Sequence, residues 1–457
     1  MSDLFASLSS VSRALAAQQT GLAVAGENIA NVNTPGYTRR TVELSASLPL
    51  DAYSTGNGVD VVGIRAERAD LIEAQLHQEL PAQAREAATA DSLSQIEALL
   101  GRPGTSVDSN LTKFFDAFSQ LAQDPTSGVA RQQVTVQAQS LTTAFNDVAT
   151  RLVSAQQDAD AQVRDGVDRV NTLAAQIASL NASMSSAGAG RSDTLRDKLG
   201  VALNTLAGLI DISVVGRPDG GADVSVGNGH ALVIGADTYQ LATSAVAGSG
   251  LADLTSGGSV ITSAVTGGRI GGLLQVRDRL LPGYQTRLDQ LAHTVATSVN
   301  TAHRAGYDLA GAAGIDFFVP PAAVAGAAIA MTVSAAIVAD ANRIAAAATP
   351  AAGDNGNARA IANLRETPLA GVTTNPVDTW GALIYRVGTD AQAATSERLG
   401  RDEIVKQLQT LRDQIAGVSL DEEAASMMKF QRAYEANARY FSAVDASLNV
   451  LMQMLGG

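Results

Sequence analysis

Chemistry in this chain would have to start from four histidines, His77, His230, His293 and His303, because the sequence holds no cysteine. No two of them stand in an HExxH arrangement, the spacing that puts two metal ligands on one helical face. His293 and His303 are ten residues apart, so on a helix they share a face yet lie about 15 Å from each other. That is too far for one ion. The lack of cysteine also removes disulfides, thiolate metal sites and thiol nucleophiles. Gly267-Gly268-Arg269-Ile270-Gly271-Gly272 has the glycines of a phosphate loop without a GKS or GKT ending or the GxGxxG spacing. Asp308 and Asp316, beside Phe317-Phe318 in a glycine-rich stretch, are the best carboxylate pair for glycoside hydrolysis, and solvated turns account for both. No GxSxG elbow occurs. The reading is a non-catalytic protein with no metal and no cofactor.

A chain of 457 residues exceeds one compact core, and roughly three domains are expected. Its hydrophobic content is 46% but only 4% is aromatic, and the alanine behind that difference favours close-packed helices. The net charge of −13, with no basic cluster, excludes nucleic acid as a partner. No apolar run is long enough to insert into a membrane. The opening MSDLFASLSS has neither a charged n-region nor an apolar h-region, which argues against a cleaved secretory signal.

What remains to be positioned is a set of helix faces. From Ser2 to Asn33, Leu4, Leu8, Val11, Leu15, Gln18, Leu22, Ala25, Ile29 and Val32 recur at alternating three- and four-residue steps, a heptad seam. Asn33-Thr34-Pro35-Gly36 stops it, with Pro-Gly suited to the centre of a type II turn. The other end repeats the design. Ser419 and Glu422 form a capping box, and Met427, Phe430, Tyr434, Asn437, Phe441, Val444, Leu448, Leu451 and Leu455 continue as a seam. Gln18 and Asn437 each put one amide into a seam, a device that fixes register or partner.

Between the ends, helical patterning covers 67–100, 107–123, 127–182, 192–209, 269–304 and 378–416, the last with Asp378 as N-cap. The stretch 127–182 reads as one helix or a broken pair. Around Pro218-Asp219-Gly220-Gly221 the period changes to that of a β-hairpin, and Gly227-Asn228-Gly229 leads into another strand. The Gly-, Ala-, Ser- and Thr-rich stretches 244–268 and 305–357 read as further strands and loops. The fold expected is mainly α with an inserted β-containing domain, in a nested layout whose long terminal helices form a coiled coil. Residues 1–60 and 418–457 are expected to form a terminal assembly domain. Residues 61–210, 269–304 and 358–417 would make a helical domain, and 211–268 with 305–357 an outer mixed β domain.

Ala30-Asn31-Val32-Asn33-Thr34-Pro35-Gly36-Tyr37-Thr38-Arg39 resembles the N-terminal signature of the bacterial flagellar axial proteins, the rod, hook and hook-associated subunits. Its Asn31, Asn33, Thr34, Pro35, Gly36 and Tyr37 carry that likeness. Other stretches narrow it: Gly58-Val59-Asp60-Val61; Phe114-Phe115 with Asp124-Pro125 and Arg131; Gly271-Gly272 with Arg277-Asp278; Val299-Asn300 with His303 and Phe317-Phe318; Gly353-Asp354-Asn355. With Gly417-Val418-Ser419-Leu420-Asp421-Glu422-Glu423 and Phe430-Gln431 they are similar to the first hook-associated protein family, the hook–filament junction subunits. The likeness covers nearly the whole chain.

That resemblance implies a structural adapter in the extracellular flagellum, exported unfolded without a cleaved signal and joining hook to filament as a ring. Its implied partners are neighbouring copies, the hook protein, the next junction protein toward the filament, and an export chaperone on the C-terminal helix. Alternatives are a hook or distal-rod subunit, which should lack the long helical middle, and a flagellar protein with a wall-cutting hydrolase domain. Two expectations follow from the nested layout. The ends should order on assembly, because one two-stranded seam gives little burial against the entropy of 60–70 residues, about 1–2 kcal/mol each. Residues 211–268 should be replaceable by a linker.

Overall fold

The computed structural model describes residues 2–47, 58–100, 106–186, 189–246, 250–368 and 374–455. Helix α1 spans Ser2–Ala30 and is followed by a two-stranded antiparallel sheet, β1 (Arg40–Ala46) with β2 (Val59–Ala66), whose register shifts between Glu43 and Leu44. Four helices come next: α2 (Asp70–Leu100), α3 (Val107–Leu121), α4 (Gly128–Ser185) and α5 (Ala189–Leu209). The 127–182 pattern is thus one helix, in line with its freedom from proline. A four-stranded antiparallel sheet follows in the order β3 (Ile212–Gly216), β4 (Ala222–Val226), β5 (His230–Ile234), β6 (Asp237–Thr238). A second small sheet is built from β7 (Leu241–Ala245), β8 (Ala252–Ser256) and β9 (Ser259–Val260). Then α6 (Gly268–Gln275) passes through a π-helical turn at Val276–Leu280 into α7 (Leu281–Ala305). Three short helices, α8 (Ala327–Ala330), α9 (Ala335–Ala339) and α10 (Gly356–Asn363), precede α11 (Pro376–Ala416) and α12 (Leu420–Leu455).

The chain divides into two compact units, and the divisions fall inside α2, α4, β7 and α11. The first comprises Met1–Pro81, Arg169–Leu241 and Arg401–Gly457; the second comprises Ala82–Asp168 and Ala242–Gly400. This grouping differs from the three-part layout. The β3–β6 sheet belongs with the terminal helices, because Asn181 of α4 is bonded into it. The amide of Asn181 donates to the Ala222 and Gly235 carbonyls at 2.8 and 2.7 Å and accepts from the Ala222 N–H at 3.0 Å.

The second unit has a continuous apolar core drawn from α2, α3, α4, α7, α11 and the 305–357 stretch. At its centre Phe114, Phe118, Phe317 and Phe318 meet edge-on or tilted, with ring centroids 5.0–5.7 Å apart. The expectation of strands over 305–357 is corrected: this stretch holds isolated bridges, turns and α8–α10. Its many alanines lack the β-branched character of strands, and Ala327, Ala328, Ala345, Ala346 and Ala347 are buried close against the helices. The cap of α11 is also corrected. Asn375, not Asp378, is the N-cap: its carboxamide oxygen accepts from the Asp378 N–H at 2.8 Å, with Pro376 at the first helical position.

Candidate assembly interface

The first unit brings the two chain ends together: α1 and α12 pack along one another. The buried face of α1 overlaps the heptad seam only at Val11 and Ala25. Val11, Ala17, Gly21, Val24, Ala25 and Asn28 are buried, whereas Leu8, Leu15, Gln18, Leu22 and Ile29 are only half-buried. Small residues win because they let the partner approach. A Cβ on Gly21 would lie 2.6 Å from Cε1 of Phe430, so the ring rests on the α1 backbone. On α12, Val444 is buried and Phe430, Tyr434, Asn437, Phe441, Leu448 and Leu451 are half-buried, while Met427 is exposed. The Gln19 amide donates to the Tyr434 hydroxyl at 3.3 Å. Leu455 ends α12, and its side chain lies outside the described residues.

The amide buried between the ends is Asn28, which the heptad reading missed in favour of Gln18 and Asn437. Asn28 is fully buried, and all four of its hydrogen-bonding positions are filled. Its Nδ2 donates to Glu423 Oε2 at 3.1 Å and to the Arg40 carbonyl at 2.8 Å. Its Oδ1 accepts from the Tyr37 hydroxyl at 2.9 Å and from the Arg40 N–H at 3.0 Å. The carboxylate of Glu423, itself buried, accepts from Nε of Arg39 at 2.7 Å, and the same guanidinium reaches Glu422 at 2.9 Å. The Arg39 N–H donates to the Ala416 carbonyl at 2.8 Å. Ser419 caps α12 as expected, accepting from the Glu422 N–H at 3.4 Å.

The signature loop is what makes this clamp possible. Asn31 donates back to the Glu27 carbonyl at 3.0 Å and accepts from the Thr34 hydroxyl at 3.2 Å. Asn33, Thr34 and Pro35 are exposed. Gly36 has φ +76°, and any Cβ there would collide with Val201 of α5. Its turn aims Tyr37 at Asn28. Burial pushes the Tyr37 hydroxyl up to about 12, against the opposing pull of Arg40, so it stays a donor at all ordinary pH. Thr38 then donates to Asp197 of α5 at 2.8 Å, where Arg68 also binds at 3.0 Å, and Arg40 reaches Glu27 and Thr194 at 2.6 and 2.7 Å.

A cleft of about 1010 Å³ opens in the same unit between the signature loop, the start of α2, α5, the β3–β4 hairpin and the end of α11. Its charged lining is mixed: Arg68, Arg196, Arg217 and Arg412 stand among Asp70, Glu73, Asp197 and Asp413. His77, in the same wall, is pushed below its usual value by burial, with Glu73 opposing. Among the described residues, no cluster of three or more His, Cys, Asp or Glu has the arrangement of a metal site. The carboxylate pair of the second unit is spent on structure. Asp308 accepts from the Ala310 and Ala312 N–H groups at 2.9 Å, and Asp316 pairs with Arg304.

The remaining signature residues hold the second unit's fold. Arg131, 1% exposed, donates to the Pro125 carbonyl at 2.7 and 3.0 Å and to the Ile344 carbonyl at 2.6 Å. Asn300 brackets Phe318 at 2.9 and 2.8 Å. Arg277, on the π-helical turn, binds Asp160 at 2.6 Å and Asp278 at 2.7 Å. Asp354 ties a turn by accepting from the Thr349 and Gly356 N–H groups at 2.7 and 2.8 Å.

Comparison with known proteins draws on both units. Residues 93–318 match the family model of the flagellar hook-associated protein FlgK helical domain. Residues 8–38 match that of the flagella basal body rod protein, and 413–454 that of the flagellar basal body rod FlgEFG protein C-terminal. Flagellar hook-associated protein 1 of Bacillus subtilis (strain 168) is 28% identical over 505 residues, spanning 100% of this chain and 99% of its own. That of Escherichia coli (strain K12) is 27% identical over 541 residues, spanning 96% and 98%. The solved flagellar hook junction protein FlgK from Burkholderia pseudomallei superposes with a TM-score of 0.67 at 17% identity, over 74% of this chain and 99% of that one, a likeness of fold. Paired terminal helices clamped by a signature loop define an axial subunit of the bacterial flagellum, a structural class. Within it, the chain belongs to the flagellar hook-associated protein 1 family, the hook–filament junction subunits.

Proposed function

We propose that this chain joins hook to filament by stacking its terminal helix pair against the pairs of neighbouring copies, with residues 1–60 and 418–457 innermost. One observation carries the reading: α1 gives its small-residue face to α12 and leaves Leu8, Leu15, Leu22 and Ile29 half-uncovered on a second face. A heptad row left so needs another helix to complete it. On α12, Met428, Val450, Met452 and Met454 are likewise exposed, which suits a chaperone that holds the C-terminal helix before export. The hook protein on one side and the next junction protein on the other are the neighbours along the axis. The subunit acts outside the cell, and it performs no catalysis. Among the described residues, no helix is long and apolar enough to cross a membrane. Deleting the protein tests this: electron microscopy should show hooks without filaments, with filament subunits shed into the medium. Arrest before hook formation would refute the junction role.

A further inference from the structure

Helix α11 carries a second apolar row that its own unit does not cover. Ile404 and Leu411 are 42% exposed and Ile415 51%, and Leu408 between them is half-buried. Spaced by four, three and four residues, they share an arc of roughly 60° at 3.6 residues per turn. The row lies beside the inward face, where Val405 and Ala416 are buried. It is local, because the same spacing continued backwards meets Gly400, Glu397 and Ala393.

We propose that this row on α11 receives the outer row of α1, Leu8, Leu15, Leu22 and Ile29, from a second copy of the chain. The inference rests on the assembly role above and adds the surface that completes it. Both rows have the width and repeat of a helix–helix seam. The outer flank on α1 is uncharged, Ser12 and Gln19, and that on α11 carries Gln407 and Gln414 with a single charge, Glu403, at the start of the row where it is exposed to water. The row is also continuous with the paired ends. Ile415 directly precedes Ala416, whose carbonyl accepts from Arg39 in the clamp between α1 and α12. Two different surfaces meeting make a heterologous contact, which passes from copy to copy instead of closing as a dimer.

The absence of cysteine makes the test clean. Two chains distinguishable by size, one carrying Leu15→Cys and the other Leu411→Cys, are produced together in cells lacking the native copy. Hook-containing structures are isolated and oxidised with copper phenanthroline. The expected product is a reducible heterodimer of the two chains, lost when Leu411→Cys is replaced by Lys406→Cys on the other side of α11. Both chains present in the isolated structures with no heterodimer would overturn the inference and leave the junction role standing. A dominant Leu411→Cys homodimer, or a cross-link from that position to the hook protein, would also overturn it. Absence of both chains from these structures would remove the junction role and the inference with it.

Discussion

Asn28 and Glu423 stand 395 positions apart in the sequence and are joined by a 3.1 Å hydrogen bond in the interior of the first unit. Neither has a substitute at that place. The amide satisfies a carboxylate, a tyrosine hydroxyl and a backbone strand start at once, and the carboxylate in turn holds Arg39.

Asn28→Leu should therefore cost about 3 kcal/mol, since it leaves a buried carboxylate and a half-buried hydroxyl short of partners. Urea melts followed by helix content should show the loss. Glu423→Gln, which removes the charge opposite Arg39, should be intermediate. An Asn28→Leu protein as stable as the parent would mean the clamp contributes nothing.

Arg131 answers only to carbonyl oxygens, with no carboxylate bonded to it. Burial lowers its pKa, while Asp308 and Asp340 act against that at longer range. Arg131→Lys keeps the charge but cannot span Pro125 and Ile344 with a planar fork. A loss of about 3 kcal/mol is expected, read as a lowered melting temperature of the second unit. An unchanged melting temperature would count against it.

His303 gives the fold a defined pH dependence. Its Nδ1–H donates to the Ile315 carbonyl at 2.5 Å and its Nε2 accepts from the Ala345 N–H at 2.8 Å, so the buried ring must be neutral. Burial pulls its pKa down to about 4; Asp316 and Asp308 act upward and Arg131 downward. Between the unfolded value of about 6.5 and that folded value, the unfolded chain takes up a proton that the folded one refuses. Stability should be full above about pH 6.5 and fall by up to about 3 kcal/mol as pH drops toward 4. Urea melts at pH 7.5 and 4.5 should show a smaller difference for His303→Gln than for the parent.

Replacing 211–268 by a linker, expected from the sequence to be mild, should instead unfold the protein. The graft would remove the partners of Asn181, and it would take Ala252 away from Asp160 and Arg277, which bind its N–H at 2.9 Å and its carbonyl at 2.7 Å. Loss of soluble protein, against normal yield of the parent, is the readout.

Leu448→Asp, on the half-buried side of α12, should block incorporation into the flagellum and leave the melting of the purified monomer nearly unchanged. Hydrogen exchange should find weak protection in the monomer for the parts of both ends that lie beyond the Asn28–Glu423 clamp, toward the start of α1 and the end of α12. Strong protection of both would refute folding on assembly.

The long helices were legible because their apolar periodicity survives whatever they pack against, and the bounds of α3, α4 and α12 agree with the pattern to within a few residues. The face was not. A leucine row at seven-residue spacing outweighs Ala17 and Gly21 in any hydrophobicity pattern, yet Gly21 is where Phe430 of α12 comes close. Asn28 was hidden for a related reason: its partners lie in the signature loop and at Glu423, and no local spacing connects them. Asn375 lost to Asp378 because both are good caps, and Pro376 between them was the deciding signal.

Phe430 seated on Gly21 acts as a detent. Sliding α12 by one turn, about 5.4 Å, would bring the ring against Ala17 or Ala25, whose methyl groups occupy the space that the glycine leaves open. The two ends of every copy therefore lock at a single height. Each subunit thus presents its outer row at one level relative to its own α12, so copies that meet through that row would meet without variation in height.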